Sequence, residues 1–430
     1  MNYYKRTADA LLQDLLDAFG AVLIEGPKWC GKTTTASQLA NSILRMQDPS
    51  MREEYLATAK TKPSILLKGD TPRLIDEWQD APMLWDAVRT TVDDRQIPGQ
   101  FILTGSNAVD KSQIHHSGAG RIARLRMLPM SLWESQESTG EVSLKELFNN
   151  PDYDIDGKMS KMTVEDLIFA ASRGGWPASL LARTPKAQLL VAKNYVQTIC
   201  SDDVSGIDGK KRDAKLTSMI LRAYARNVST LVKKKSLLDD VTSSGEVSCH
   251  VDTFDDYVSA LEKLFVIQNI SAWCPAIRSK TAIRSSVKRC FCDPSIPIAL
   301  LGLSPESLSM QLRTFGFIFE QMCIRDLKAY TIDLNSHVSY YHDRYDLEAD
   351  IVLHLEDGRY ALIECKLGSG EIDEGAKHLL ELKRLIQEHN KTEKQVPIRE
   401  PDLLIVMTGG TMAYSRPDGV KVIPLACLKD

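Results

Sequence analysis

Gly26-Pro27-Lys28-Trp29-Cys30-Gly31-Lys32-Thr33 spells G-x-x-x-x-G-K-T, directly after the apolar run Ala21-Val22-Leu23-Ile24. An apolar strand that breaks into a glycine-bounded loop and then a helix is the Walker A arrangement. Its glycines let backbone N–H groups curl around a polyphosphate, which rests on the N-terminus of the next helix. The polar, helix-forming stretch Thr34 to Leu44 supplies that helix. The pattern assigns Gly26, Pro27, Gly31, Lys32, Thr33 and Thr34 to ATP. Lys32 is expected at the β- and γ-phosphate oxygens, and the Thr33 hydroxyl on the accompanying Mg2+.

A hydrolytic pocket also needs acid at the end of a nearby strand, and Arg73-Leu74-Ile75-Asp76-Glu77-Trp78-Gln79 supplies it. Asp76 is expected to hold Mg2+ through water, and Glu77 to polarise the attacking water. The next strand, Phe101-Ile102-Leu103-Thr104-Gly105-Ser106-Asn107, ends in hydroxyls. Ser106 or Thr104 would sense the γ-phosphate; the alternative is that Thr-Gly-Ser simply turns the chain. Apolar and cationic residues then alternate from Ile122 to Pro129, as on a strand with one wet face. Arg121, entering that strand, is the first choice for an arginine finger acting in its own subunit or a neighbour's. Arg124 and Arg126 are its rivals.

The 430 residues imply two or three domains. With 43% hydrophobic and 26% charged residues, the composition is that of an ordinary soluble globular protein. Apolar runs fall far short of a membrane span, and no basic-then-apolar leader opens the chain, so a cytoplasmic location and no membrane partner are expected. Nine cysteines, scattered and without a C-x-x-C pair, argue against a disulfide framework or zinc site. The net charge of −4 exerts no global pull on nucleic acid, so DNA, a candidate partner, would have to be held by local patches.

Leu74-Ile75-Asp76-Glu77-Trp78-Gln79, Leu84-Trp85-Asp86-Ala87-Val88-Arg89, Leu103-Thr104-Gly105-Ser106 and Leu128-Pro129-Met130-Ser131-Leu132-Trp133-Glu134 together resemble one bacterial and archaeal group. These are AAA-type ATP-binding proteins with a C-terminal domain of unknown function related to restriction endonucleases. The resemblance covers nearly the whole chain and implies an AAA+ core, a winged helix and a nuclease-like end. Arg173-Gly174-Gly175-Trp176-Pro177 is similar to the group's glycine-glycine-aromatic-proline turn, but Ala178 stands where members usually carry glutamate.

Residues 136–165 are polar and turn-rich, and read as a connector or insertion. Helices are expected over about 214–226, 229–241 and 251–265, then a strand at 265–270 and another around 288–291. Three helices and a β-ribbon fit a winged helix. Asp252, Asp255, Asp256 and Glu262 make its third helix acidic, which favours protein packing over DNA reading. Basic groups lie nearby at Lys210-Lys211-Arg212, Lys233-Lys234-Lys235 and Arg278–Arg284.

Near the C-terminus, Glu348-Ala349-Asp350-Ile351-Val352-Leu353, an Asp357-Gly358 turn and Tyr360-Ala361-Leu362-Ile363-Glu364-Cys365-Lys366 read as a β-hairpin. Alternation puts Glu364 and Lys366 on one strand face, with Asp350 able to converge there. The pattern D…E-x-K is similar to the metal core of PD-(D/E)xK nucleases. Asp350 and Glu364 would share Mg2+, Lys366 would orient water, and Glu320 is the matching helical carboxylate, with Glu348 as an extra ligand. The bland alternative is a charged, exposed hairpin face, and Gln-x-x-x-Tyr is missing after the core, where Lys377-His378-Leu379-Leu380 stands.

The expected class is α/β. A P-loop AAA+ core spans 1–135, a connector and helical region 136–213, a winged-helix-like domain 214–292, and an α/β restriction-endonuclease-like domain 293–430. The expected function is an ATPase coupled to a nuclease-like domain acting on or near nucleic acid. The alternative is a nucleotide-gated adaptor that binds a protein partner without cleavage. Assembly into a homo-oligomer is a further candidate.

Overall fold

The computed structural model describes residues 3–106, 116–243, 245, 247–273, 286–392 and 397–430. The chain divides into two compact units: Met1–Pro129 with Lys263–Phe265, and Met130–Glu262 with Val266–Asp430. The basic run at 278–284 lies outside the described residues.

In the first unit, α1 (Ala8–Ala18), β1 (Ala21–Glu25), α2 (Lys32–Leu39), β2 (Ser42–Arg45), α3 (Arg52–Thr61), β3 (Arg73–Asp76), α4 (Met83–Arg95), β4 (Phe101–Gly105) and β5 (Ile122–Arg126) follow in order. The strands form a five-stranded sheet ordered β2-β3-β4-β1-β5, every adjacent pair parallel. A parallel sheet covered on both faces needs continuous apolar runs. β1 and β4 provide them, with Ala21 to Ile24 and Phe101 to Leu103 all buried. Trp78, Leu84, Trp85 and Val88 complete this core. The order inserts β4 between the loop-bearing β1 and the acid-bearing β3, which puts the β4 hydroxyls beside both.

The second unit begins with β6 (Val142–Ser143) and α5 (Leu144–Asn149). Helices α6 (Val164–Arg173), α7 (Pro177–Leu180), α8 (Pro185–Thr198), α9 (Val204–Gly206), α10 (Ala214–Arg226), α11 (Lys234–Thr242), α12 (Val251–Lys263), α13 (Ser295–Leu301), α14 (Pro305–Ser309) and α15 (Leu312–Tyr330) follow. The last part holds β7 (His337–His342), β8 (Glu348–His354), β9 (Tyr360–Lys366), α16 (Ile372–Thr392), β10 (Leu403–Thr408), β11 (Tyr414–Ser415), β12 (Lys421–Pro424) and β13 (Leu428–Lys429). A six-stranded sheet runs β11-β12-β10-β9-β8-β7, antiparallel across β7-β8-β9 and parallel across β9-β10-β12. The β9–β10 crossover is α16, whose Ala376, Leu379, Leu382 and Ile386 pack with Leu362, Leu404 and Val406.

Two expectations meet a different local structure. Residues 136–165 are woven into this unit: β6 pairs in parallel with β13, and Ser143 Oγ donates to the Asp430 carbonyl at 2.8 Å. The second of the three helices expected after 213 starts at Lys234, because Ser229, at φ 57°, turns the chain first. Between α12 and α13 the described residues form isolated bridges, antiparallel at Ile267–Phe291 and Ile270–Lys288 and parallel at Ala272–Tyr340 of β7.

Candidate functional site

The nucleotide loop is shaped by backbone that only glycine tolerates at two points. Gly31, at φ 103°, caps α2 in the left-handed region. A Cβ on Gly26 would run into the Met127 carbonyl of the chain leaving β5. Between them, Lys32 is buried and donates to the carbonyls of Gly26 at 3.0 Å and Pro27 at 2.9 Å, which holds its ammonium inside the loop. A brace comes from the N-terminal segment. Arg6, 5% exposed, donates to the Cys30 carbonyl and to the Leu128 carbonyl, each at 2.7 Å. Tyr3 shares a 2.9 Å hydrogen bond with Thr35. No motif marked Arg6, since it acts through a side chain lying 24 residues ahead of its partner.

The acids on β3 meet the hydroxyls of the loop and of β4. Asp76 Oδ1 accepts from Thr33 Oγ1 at 2.7 Å and from Thr104 Oγ1 at 2.6 Å. Glu77, strained at φ 55° and ψ 49°, accepts from Ser106 Oγ at 3.2 Å through Oε1 and from Gln79 through Oε2. Thr104 and Ser106 therefore divide the work, one on each acid. Hard oxygen donors from Thr33 and Asp76 touching one another fit a Mg2+ site. Thr34 occupies the first turn of α2, where its carbonyl accepts from Gln38. Arg121 lies at the entry to β5, half exposed, with Nε 2.7 Å from Asp93 of α4. Its rival Arg124 stands 3.4 Å from Glu25.

In the second unit, β8 and β9 pair with Ile351 opposite Ile363, and the Asp350 carboxylate accepts the Cys365 N–H at 2.8 Å. Glu364 is fully buried. Lys366 Nζ lies 2.9 Å from its Oε2 and His378 Nδ1 of α16 lies 3.8 Å from the same atom. Its Oε1 has no hydrogen-bond partner among the described residues. A Cβ on Gly375 would stand 3.2 Å from Glu364 Cβ and Lys366 Cε, so this glycine lets α16 approach the pair. Glu348, Asp350 and Glu364 each offer an oxygen within 4.8 Å of the others. Opposite oxygen ligands of a hard divalent ion, held at about 2.1–2.6 Å, stand about 4.2–5.2 Å apart, so oxygens this close are compatible with one such ion.

Gathered carboxylates resist ionisation. Burial first, and the Asp350 charge second, push the Glu364 carboxyl up to about 9, against the pull of Lys366. Burial also opposes the Lys366 charge, but Glu364 outweighs it and lifts the ammonium above the ordinary lysine range.

Glu320 lies outside this group of three. Its Oε1 accepts from Lys288 Nζ at 2.5 Å, and the same ammonium donates to the Asp350 carbonyl at 2.9 Å. Lys288 had no local signal in the sequence, because it arrives from a segment 32 residues before its partner. His378 was visible only as a departure from Gln-x-x-x-Tyr.

Residues 18–136 match the AAA domain family. Residues 164–307 and 315–428 match two domains of unknown function, DUF8612 and DUF4143. The chain is similar to the uncharacterized proteins Rv2008c of Mycobacterium tuberculosis and Mb2031c of Mycobacterium bovis. Each is 24% identical over 366 residues, covering 83% of this chain and 72% of the relative. Among solved structures, the Walker-type ATPase PABY2304 of Pyrococcus abyssi aligns at 12% identity and TM-score 0.40, over 70% of this chain and 96% of that one. A signal transduction ATPase with numerous domains, PH0952 of Pyrococcus horikoshii, aligns at 13% identity and TM-score 0.24, over 76% and 47%. The AAA match and the loop geometry support a P-loop ATPase of the AAA type in the first unit. No helix among the described residues is long and apolar enough to cross a membrane.

Proposed function

We propose that the first unit hydrolyses ATP with Mg2+ and that the second carries a nuclease-like metal site acting on nucleic acid. The observation that carries the first half is the contact of Asp76 with Thr33 and Thr104, next to a Glu77 held by Ser106 and Gln79. Bound Mg2+ supplies charge neutralisation at the phosphate oxygens. The loop N–H groups of Lys28 to Thr34 cradle the phosphates, and Lys32 neutralises the β- and γ-oxygens. Glu77 orients and polarises water, Ser106 fixes its carboxylate, and Arg121 offers a cation to the phosphate of a neighbouring copy.

The test is steady-state ATP turnover with parallel nucleotide binding. Lys32→Ala is expected to weaken ATP binding at least tenfold. Glu77→Gln is expected to keep binding and to slow turnover about a hundredfold or more, the usual worth of a positioned base. Undiminished turnover in Glu77→Gln would remove the assignment.

For the second half, the support is the order α15-β7-β8-β9-α16-β10 together with the Glu348, Asp350 and Glu364 group. A divalent ion held there supplies stabilisation of charge on a phosphodiester in attack. Lys366 orients or activates the water, and burial of Glu364 keeps the site dry. Plasmid and oligonucleotide cleavage with Mn2+ is expected from the wild type and lost in Asp350→Ala and Lys366→Ala. Equal products from all three would sink this half.

A second reading, the nucleotide-gated adaptor, is favoured by how the basic runs around α12 are used. Lys210 and Arg212 pair with Asp256, and Lys234 pairs with Asp255. Cations tied to the acids of this winged-helix-like region are poorly placed for DNA phosphates and favour a protein partner.

A further inference from the structure

Lys288 is 6% exposed, and its backbone is pinned by two hydrogen bonds with Ile270, at 2.9 and 3.1 Å. Its side chain runs to Glu320 Oε1 at 2.5 Å, the Asp350 carbonyl at 2.9 Å and Asp350 Oδ1 at 3.8 Å. The ammonium also lies 5.5 Å from the centre of the Tyr340 ring. The acidic site thus holds two kinds of carboxylate. Glu320 is already neutralised by a cation that belongs to the chain. Glu348, Asp350 and Glu364 stay grouped with one cation of the chain among them, Lys366, 2.9 Å from Glu364 Oε2, while the fully buried Glu364 Oε1 is unpartnered among the described residues. A buried carboxylate is compatible with the fold only where a cation or a proton joins it.

We infer that Lys288 is a tethered cation standing where a second divalent ion would otherwise sit, so that this site takes one divalent ion, through Glu348, Asp350 and Glu364. Glu320 serves Lys288 and is not a ligand. The inference rests on the metal reading of the second unit and specifies its stoichiometry. It also ties the segment around residue 288 to the metal site, since any displacement of that segment bares Glu320 and the Asp350 carbonyl.

The test is a Mn2+ titration followed by electron paramagnetic resonance. It uses the full chain without nucleotide and with Thr33→Ala, to silence the nucleotide loop. One Mn2+ per chain is expected. Adding Lys288→Met frees Glu320 and is expected to give two. The charge-neutral pair Lys288→Met with Glu320→Met returns the count to one, at an affinity within about threefold of the parent. A parent that binds two ions, a Lys288→Met chain that still binds one, or a double variant weakened tenfold or more would each overturn the tethered cation. Should Lys288→Met fail to fold, the double variant decides alone. No Mn2+ bound to the parent would instead overturn the metal reading beneath it, and Glu364→Gln marks that reading separately, by losing the bound ion.

Discussion

At the scale of the residue, Glu364 is the buried member of the second unit's candidate metal group. Its carboxyl titrates near 9 in the cation-free fold, against an ordinary value of 4.5. The folded chain therefore holds a proton that the unfolded chain has lost, and stability falls as pH rises from about 4.5 to about 9. In the proposed metal site a divalent ion would replace that proton, so metal affinity should rise with pH across the same window. Thermal unfolding in a chelator should show a melting temperature that declines toward pH 9, with the slope flattened by Mn2+ or by Glu364→Gln. A slope indifferent to both would contradict this account. Glu364 and Lys366 could be placed on one face from alternation alone. The burial that raises the carboxyl could not, because it comes from α16 closing over Gly375.

Elements differ in how local their instructions are. The Walker A turn is written in one stretch, since Gly26 at φ 152° and Gly31 at φ 103° meet local backbone demands, although Gly26 also clears the distant Met127 carbonyl. The turn at Gly174-Gly175-Trp176-Pro177 could be read as a tight corner, but its anchorage lies elsewhere in the chain. Asp293 accepts the Gly175 N–H at 2.9 Å and both the N–H and the hydroxyl of Ser295, and pairs with Arg325 at 3.1 Å. Arg325 also pairs with Asp326, and Asp326 accepts the Leu132 N–H. All three charged side chains are buried, and the network joins segments around 132, 175, 293 and 325. Removing Asp293 leaves Arg325 with Asp326 alone and strips the Gly175 N–H and Ser295 of their acceptor, and loss of one member of a buried charged network costs about 3–5 kcal/mol. Asp293→Ala should therefore lower the stability of the second unit by about that much in denaturant unfolding. A loss under about 1 kcal/mol would show that the network is decorative.

At the scale of the whole molecule, two compact units carry two candidate sites, and the sequence was legible unevenly between them. The parallel sheet follows from apolar strands alternating with helices. The tie between residues 136–165 and the far C-terminus had no signal, because pairing across so long a separation leaves no period in the sequence. Assembly is likewise invisible in one chain. In the single chain Arg121 is engaged with Asp93, so a finger role in trans requires a neighbour to draw it away. ATP turnover per chain should then rise with protein concentration and lose that dependence in Arg121→Ala. A flat profile in the wild type would end the idea.

The parallel pairing of β6 with β13 also sets an order of birth. Ser143 and Asp430 are 287 residues apart, which at about 5–20 residues per second leaves about 15–60 s between their emergence from the ribosome. The nucleotide-loop sheet, β1 to β5, has emerged well before that interval ends. The sheet that carries the nucleotide loop is thus free to form while the second unit still lacks one partner of its β6–β13 pair.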